Sequence, residues 1–331
     1  MVTRWHAHLR GLVTSIHETS RLAEQRIFLL LFVSLVVQPG GLTLRRILLS
    51  MSISLILMAA VHPVAGATEL IGPAGPVSQG EVVEIILTGP QEGSKVKGLW
   101  QSKPLDFFEV KEKEYRSLLG IDFRLTPGIY PLEVEVDSPR NSRTTYLTTI
   151  EVAKKEFGEQ TLTLPENMVT LDAETLKRVR IESGEFRKLW DMHTPKRYWH
   201  GNFVLPLPGK LSTPFGLGRI LNGQPRSPHS GVDLRARLGD PVKAANHGRI
   251  VLVGDFFFHG KAVVIDHGWG LYTMYFHLSK VNVSEGDFVG KGYVIGLAGS
   301  TGRATGPHLH WGVRLGGARV DPFALVRVTA E

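Results

Sequence analysis

Chain-breaking residues divide this sequence into short pieces, because 36 of its 331 residues are glycine and 19 are proline. Such a chain favours short strands joined by turns over long helices. Cysteine is absent from the sequence, which excludes disulfide bonds, thiolate metal sites and cysteine nucleophiles. A metal site in this chain must therefore be built from histidine, aspartate and glutamate.

The net charge of +7 is concentrated near the N-terminus, where residues 1–50 hold six arginines against two glutamates. Residues 51–67 hold no charged side chain, so only +3 remains on residues 68–331. An excess of that size does not argue for a nucleic acid partner, and we expect none.

A secretory signal is indicated over residues 42–67. Arg45 and Arg46 precede an uncharged apolar run, and Ala65-Gly66-Ala67 follows it; these are the three parts of a signal peptide. We therefore expect cleavage after Ala67 and export to the periplasm or cell envelope. The alternative is an uncleaved membrane anchor, although the run is shorter than the roughly 20 residues that a spanning helix needs. We interpret residues 1–41 as lying upstream of the true start, the alternative being an extended leader.

The middle of the chain predicts a small β-sandwich over residues 68–153, followed by a partly helical connector over 154–200. The predicted strands cover 82–87, 120–125, 130–136 and 143–152. In the connector, Asp172 is placed to cap a helix that Gly184 would end. The sandwich contains no cluster of histidine and acidic residues, so we interpret it as a binding, spacing or gating module.

Nine of the thirteen histidines follow residue 192, within or next to a final predicted domain over residues 201–331. His308 and His310 lie in a strand-like segment, where residues two apart share a face. They should project side by side, while Leu309 and Trp311 turn into a core. By itself, a histidine pair at this spacing is only a moderately specific sign of a shared metal-binding or catalytic role.

Two other segments supply similar chemistry. His229 leaves a predicted loop and Asp233 lies on the strand that follows, and an imidazole with a carboxylate suits zinc. His277 lies on a predicted strand and should share a face with Tyr275. Each of these signals is weak alone.

The other C-terminal histidines indicate structural positions in turns, strand ends and the connector. They are His193, His200, His247, His259 and His267. Asp266, beside the last of them, could support a metal-binding histidine.

Taken together, ordered motifs from about Phe203 to Phe323 resemble the zinc endopeptidases of the lysostaphin and LytM type, the M23 peptidases. The matching motifs are Leu211-Ser212-Thr213-Pro214-Phe215-Gly216, the segments His229–Asp233, Gly239–Ala245 and Asp266–Gly268, Tyr275–Leu278, Gly286–Val289, Gly299–Gly302, Thr305–His310 and Asp321-Pro322. An arginine expected soon after Phe215-Gly216 is displaced to Arg219, and we assign it no role.

The resemblance implies one zinc ion per chain, bound by His229, Asp233 and His310, with His308 and His277 as catalytic imidazoles. It also implies a C-terminal antiparallel β-sheet with an open groove, in a mainly β protein, and peptidoglycan stem peptides or cross-bridges as substrate. Three protein ligands leave a fourth zinc position for water. Histidine suits the general base and the stabiliser of the intermediate; we expect His308 and His277 in these roles, which could be exchanged.

Alternatives remain at this point. An inactive relative could bind the wall and activate another hydrolase, but such relatives typically lose metal ligands, and here all three are present. A biotinyl or lipoyl carrier would need a lysine flanked by methionine at a hairpin tip, which residues 283–296 lack. The N-terminal module could also cover the groove and keep the enzyme latent. The sequence leaves open whether a partner at the inner membrane, the divisome or a secretion machine recruits the protein.

Overall fold

The computed structural model describes residues 67–140 and 142–330. The predicted leader over residues 1–41 lies outside these ranges, and so does the signal peptide apart from Ala67. Within the described part of the chain, no helix is both long and apolar enough to cross a bilayer. The fold is mainly β, as the sequence predicted.

Two sheets share one core in the N-terminal module. The first has the order β1-β3-β7-β6, and the second has the order β2-β9-β8-β4-β5. The strands are β1 (Glu69–Ile71), β2 (Val77–Ser78), β3 (Val82–Thr88), β4 (Lys95–Trp100), β5 (Lys103–Asp106), β6 (Phe108–Lys111), β7 (Glu114–Gly120), β8 (Gly128–Asp137) and β9 (Arg143–Ala153). Buried aliphatic side chains from both sheets, among them Ile85, Leu132 and Ile150, form the shared core.

Three of the four strands predicted in this module are present, as β3, β8 and β9. The strand predicted over 120–125 is wrong, because β7 ends at Gly120. Ile121 and Phe123 are buried on either side of Asp122, so the alternating pattern belongs to a turn. Asp122 fixes this turn through a two-pronged ion pair with Arg319, with Oδ1–Nη2 and Oδ2–Nε distances of 3.0 and 3.1 Å.

The connector contains β10 (Glu159–Leu162), a 3-10 helix (Glu166–Met168) and α1 (Ala173–Trp190). Asp172 caps α1 as predicted, since its carboxylate accepts from the Thr175 backbone N–H at 2.7 Å. Gly184 does not end the helix, which continues for six residues. Phe186 and Leu189 are buried against the C-terminal sheet, and their packing outweighs the roughly 1 kcal/mol penalty of a helical glycine.

An antiparallel ten-stranded sheet organises the C-terminal region, with the main order β11-β14-β21-β18-β17-β16-β19. Its strands are β11 (Leu211–Thr213), β14 (Gly231–Arg235), β15 (Pro241–Lys243), β16 (Gly248–Phe256), β17 (Gly260–Asp266), β18 (Leu271–Val281), β19 (Phe288–Val289), β20 (Val294–Ala298), β21 (His308–Leu315) and β22 (Ala318–Val320). The chain ends in α2 (Pro322–Val328), which Asp321 caps. A separate small sheet joins β10 to the hairpin of β12 (Gly218–Leu221) and β13 (Gln224–Arg226).

The two faces of the large sheet have different tasks. One face carries the main core, which includes Leu234, Tyr275 and Trp311. The opposite face is covered in part by α1 through an aromatic cluster that includes Phe186 and Phe276. Next to this cluster, the same face carries the histidines of the candidate site.

Candidate metal centre

Three ligand atoms converge at the junction of β14 and β21. Asp233 lies directly opposite His310 in the antiparallel pairing of these strands, and His229 stands in the loop before β14. The atoms His229 Nε2, Asp233 Oδ1 and His310 Nδ1 lie 2.9 Å from one another in each pair. In the part of the chain that the structure describes, this is the group of histidine and carboxylate side chains able to hold a metal ion.

The donor set fits a divalent cation. His229 Nδ1 lies 2.8 Å from the Pro214 carbonyl oxygen, which can only accept, so the proton of a neutral ring is on Nδ1. The Nε2 of that neutral ring directs a lone pair at a carboxylate oxygen, and a cation between the two atoms would relieve their repulsion. Tetrahedral zinc with bonds of about 2.05 Å would hold its ligands ~3.3 Å apart, so the three atoms need to separate by only a few tenths of an ångström.

Burial and close contacts keep two of these ligands, Asp233 and His310, unprotonated. Burial would raise the pKa of Asp233, but the close contacts of its carboxylate with the imidazoles of His229 and His310 outweigh that effect and hold the pKa well below its usual range. Burial lowers the pKa of His310 to about 4. Both directions favour metal binding at neutral pH, because ligands must be deprotonated to bind.

Two further imidazoles face the same cavity. His308 lies two residues before His310, and its Nε2 is 3.8 Å from Asp233 Oδ1. The His277 and His308 rings are 4.8 Å apart between centroids. Each donates Nδ1–H to a backbone carbonyl at 2.8 Å, His277 to Thr301 and His308 to Gly306. Both Nε2 atoms are consequently left for chemistry in the cavity.

A bulge in β18 places His277. Its φ is 65°, and the pairing of β18 with β17 shifts register at this point. Tyr275 is buried in the main core, whereas His277 lies with His308, so the prediction that Tyr275 and His277 share a face is wrong. A bulge inserts one residue and re-aims the side chains that follow, which here turns the imidazole towards the metal ligands.

Aromatic residues support His310 from behind. Phe276 lies opposite His310 across the β18–β21 pair, and the two rings stack at 5.4 Å with an interplanar angle of 4°. His259 also packs against Phe276, at 4.4 Å between centroids, and burial lowers its pKa to about 3. His259 was predicted as a turn residue; it is one, and it also forms part of this support.

The other predicted candidates lie elsewhere. Asp266 accepts from Thr194 Oγ1 and the Gly268 backbone N–H, so it holds a turn and supports no ligand histidine. His267 is buried between the His247 carbonyl and the Thr273 hydroxyl. These contacts are structural, as the sequence indicated for the histidines of this segment.

A narrow cavity of about 110 Å³ lies over the site. One side is formed by Gln160, Leu162 and Leu164, which we call the connector wall. Arg219, which pairs with Gln160 between β10 and β12, lines the cavity beside this wall, and Arg303, His277 and His308 line it as well. From the sequence, neither arginine was assigned a role. The backbone carbonyls that orient the histidines were also missed, because a carbonyl contact does not depend on the type of side chain. Pro214 and Thr301 nevertheless lie in motifs that carry the resemblance.

Known proteins share this arrangement of motifs. The model described as peptidase family M23 matches residues 227–322, a range that contains all five site residues. DD-carboxypeptidase/endopeptidase Mpg of Neisseria meningitidis is 41% identical over 122 residues, which cover 37% of this chain and 28% of that protein. Peptidoglycan DD-endopeptidase ShyA of Vibrio cholerae is 42% identical over 95 residues, covering 29% of this chain and 22% of that protein.

The chain thus spans less than a third of the length of either curated relative. A longer match is the crystal structure of a chain assigned to peptidase M23 from Pseudomonas aeruginosa. It is 32% identical, with a TM-score of 0.60, and the match covers 78% of this chain and 96% of that one. With this coverage and identity, the chain belongs to peptidase family M23.

Proposed function

We propose that this protein is an exported zinc endopeptidase that cuts stem peptides or cross-links of bacterial peptidoglycan. The observation that carries the proposal is the convergence of His229, Asp233 and His310 at 2.9 Å, with two more imidazoles over the same cavity. The names of the relatives from Neisseria and Vibrio support the substrate class. Export rests on the predicted signal peptide alone.

His229, Asp233 and His310 would hold the zinc ion through Nε2, Oδ1 and Nδ1. When bound, zinc lowers the pKa of a coordinated water from 15.7 to about 7 and polarises the scissile carbonyl. The carbonyl of Pro214 fixes the His229 ring, and Phe276 fixes the His310 ring. The site is therefore organised before substrate arrives, which is what electrostatic stabilisation of a transition state requires.

We assign the general base to His308, whose Nε2 is available to accept a proton from the attacking water and pass it to the leaving amine. Burial and the neighbouring imidazoles of His310 and His308 lower the pKa of His277 to about 3, which makes His277 the weaker acceptor. We assign the stabilisation of the anionic intermediate to His277. Because its Nδ1–H is bonded to Thr301, a proton on Nε2 makes the ring a cation, and the negative charge that develops on the intermediate would favour that cation where burial alone does not.

An inactive, wall-binding relative is the competing function. The retained ligands and both imidazoles argue against it, since a binding protein has no use for an ordered set of lone pairs. No observation favours it.

Digestion of purified sacculi tests the proposal. The protein is incubated with sacculi, and the released peptides are identified by mass spectrometry, before and after zinc removal by a chelator and zinc replacement. We expect new peptides that require zinc. His310→Ala should be inactive, whereas the exposed His200→Ala should match the wild type. A zinc-loaded wild type that binds sacculi and releases nothing would refute the enzyme and favour the binding relative.

A further inference from the structure

Three arginines are gathered beside the candidate metal centre. Arg219 and Arg226 lie directly opposite each other in the β12–β13 hairpin, where like charges are unfavourable. Arg303 approaches from the loop before β21, and burial together with the charges of Arg219 and Arg226 lowers its pKa to about 10. We call these three residues the arginine cluster. Bringing these three positive charges together raises the free energy of the folded protein, and folding by itself gains nothing from that arrangement.

The contacts of the cluster leave most of its charge unbalanced. Among the described residues, its ion pair within 4 Å is Arg219 Nη2 with Asp233 Oδ2 at 3.7 Å. Asp233 is also the proposed metal ligand, so its negative charge is already committed. Arg219 Nε is buried and has no hydrogen-bond partner in the described part of the chain. One guanidinium is therefore desolvated on the side that faces the site.

The other two arginines bond to neutral groups. Arg226 Nη2 donates to the Val169 carbonyl at 2.8 Å and to the Gln224 side chain. Arg303 Nη1 donates to the Met168 carbonyl at 3.4 Å, and its guanidinium lies over the Phe258 ring at 4.1 Å. Carbonyls and a ring orient these groups but supply no negative charge.

Glu166 does not neutralise the cluster. Hydrogen bonds from Thr170 and Asn222 lower the pKa of Glu166, and the charge of Arg226 adds the smallest contribution. This glutamate is exposed to water. Charges on an exposed carboxylate are strongly screened. Apart from Asp233, the described residues place no carboxylate within ion-pair distance of the cluster, which leaves the compensating anion to a bound ligand.

The position and the chemistry of the arginine cluster favour a carboxylate as its ligand. Arg219 and Arg303 line the same cavity as His277, His308 and His310, so an anion held there lies next to the scissile bond. The planar guanidinium binds carboxylates through two parallel hydrogen bonds. Cross-linked stem peptides carry free carboxylates close to their peptide bonds, whereas glycine bridges are neutral along their length.

We infer that Arg219 and Arg303 bind a free carboxylate of the substrate beside the scissile bond, so that the enzyme selects acidic stem peptides over neutral bridges. This inference rests on the proposed function. It makes Arg303 the specificity residue that contacts the carboxylate, gives Arg226 the role of adding positive charge next to it, and leaves Arg219 with a second contact, the outer oxygen of Asp233.

The test uses two synthetic cross-linked peptides that differ only in one group, a free carboxylate or its carboxamide next to the scissile bond. For the wild type we expect kcat/KM to favour the carboxylate by at least tenfold, since a charge-assisted hydrogen bond contributes about 10-fold or more. Arg303→Gln and Arg226→Gln should lower kcat/KM for the carboxylate peptide and bring the ratio towards one. Arg303→Lys, which keeps the charge, should retain part of the preference.

Arg180→Gln is the matched control, because Arg180 is exposed on α1, and its ratio should equal that of the wild type. Zinc content and melting temperature identify any variant that has not folded, and the lysine variant then carries the test. A wild type that cuts both peptides equally would overturn the inference while the proposed function stands. A zinc-loaded wild type that cuts neither peptide nor sacculi would refute the function itself.

Discussion

Adding one methyl group at Gly231 should weaken the binding of zinc by this protein. Its backbone is not in the left-handed region, so alanine is acceptable on conformational grounds. The obstacle is space, because a Cβ at Gly231 would lie 2.6 Å from His310 Nε2 and 2.5 Å from the Trp311 carbonyl oxygen. Glycine at this position is what allows β14 to pass so close to a ligand ring.

The size of the effect follows from these distances. Ordinary Cβ contacts begin at 3.4 Å, so the His310 ring must move by about 0.8 Å, while zinc–ligand distances vary by only about 0.2 Å. A misplacement approaching 1 Å typically lowers activity about 100-fold. We therefore expect Gly231→Ala to weaken zinc binding and to lower kcat/KM by about that factor. Overpacking between β14 and β21 should also reduce stability by about 1–3 kcal/mol.

The assay pairs zinc affinity, measured by competition with a chelating dye, with cleavage of sacculi and with a melting curve. Gly184→Ala is the matched control, because a Cβ at Gly184 meets nothing within 4 Å, and helix propensity predicts a gain of about 1 kcal/mol. If Gly231→Ala loses stability yet keeps wild-type zinc affinity and activity, then β14 moves instead of His310, and the reasoning is wrong.

Three further predictions concern the ligands, acid and the domain junction. Asp233→Asn should lower zinc affinity at least 100-fold, since an amide removes the negative charge between two imidazoles; unchanged affinity in the dye assay would argue against Asp233 as a ligand. In the zinc-free protein, the depressed pKa values of His267 and His310, both about 4, mean that the unfolded chain binds more protons below pH 6.5. Stability should then fall as pH drops from 6.5 towards 4, by ~2 kcal/mol per histidine at pH 5, and equal urea midpoints at pH 7 and pH 5 would contradict this. Asp122→Asn should destabilise the protein by about 1.5–3 kcal/mol through the lost bonds to Arg319, with cleavage of sacculi at 20 °C unchanged; a lower rate with an unchanged melting temperature would be the contrary result.

The sequence predicted the β elements where local pattern and packing agree. The alternating residues of β8 and β9 pair with each other over ten positions, and Leu309 and Trp311 enter the core as the period of a strand requires. It failed at 120–125, where the same alternation belongs to a turn. What holds that turn is Arg319, almost two hundred residues later, and no local pattern contains that information. The division of the chain into domains stays a prediction.

The side chains of the candidate site could be predicted from the sequence, but the main-chain bulge that positions one of them could not. His229, Asp233 and His310 come together as the motifs implied, because opposite positions of β14 and β21 bring two of them face to face. The bulge at His277 could not be predicted, because the sequence of β18 gives no sign that the alternation of inward and outward side chains stops after Tyr275. Bulges depend on how three strands meet, and here the residue that breaks the alternation is the one that reaches the cavity.

The connector wall identifies the residues that would restrict access to the site if the enzyme is latent. The cavity of about 110 Å³ is smaller than the 300–1,000 Å³ typical of ligand sites, and Gln160, Leu162 and Leu164 close it. Asn222 holds this wall, because its side chain bonds to both the N–H and the carbonyl of Leu164 at 2.9 Å. Asn222 has a φ of 49°, a value that glycine accepts without strain, so Asn222→Gly removes these two bonds and the 3.1 Å bond from Asn222 Nδ2 to the exposed Glu166.

If the wall restricts access, Asn222→Gly should cleave sacculi several-fold faster than the wild type, with zinc affinity unchanged. A small peptide that fits the existing cavity should be cut at the same rate by both proteins, because the metal ligands and imidazoles are untouched. A slower Asn222→Gly on both substrates would mean that the wall binds substrate instead of excluding it. The wall belongs to the connector rather than to the sheets of the N-terminal module, so a latency mechanism that acts through those sheets must act by moving residues 160–164.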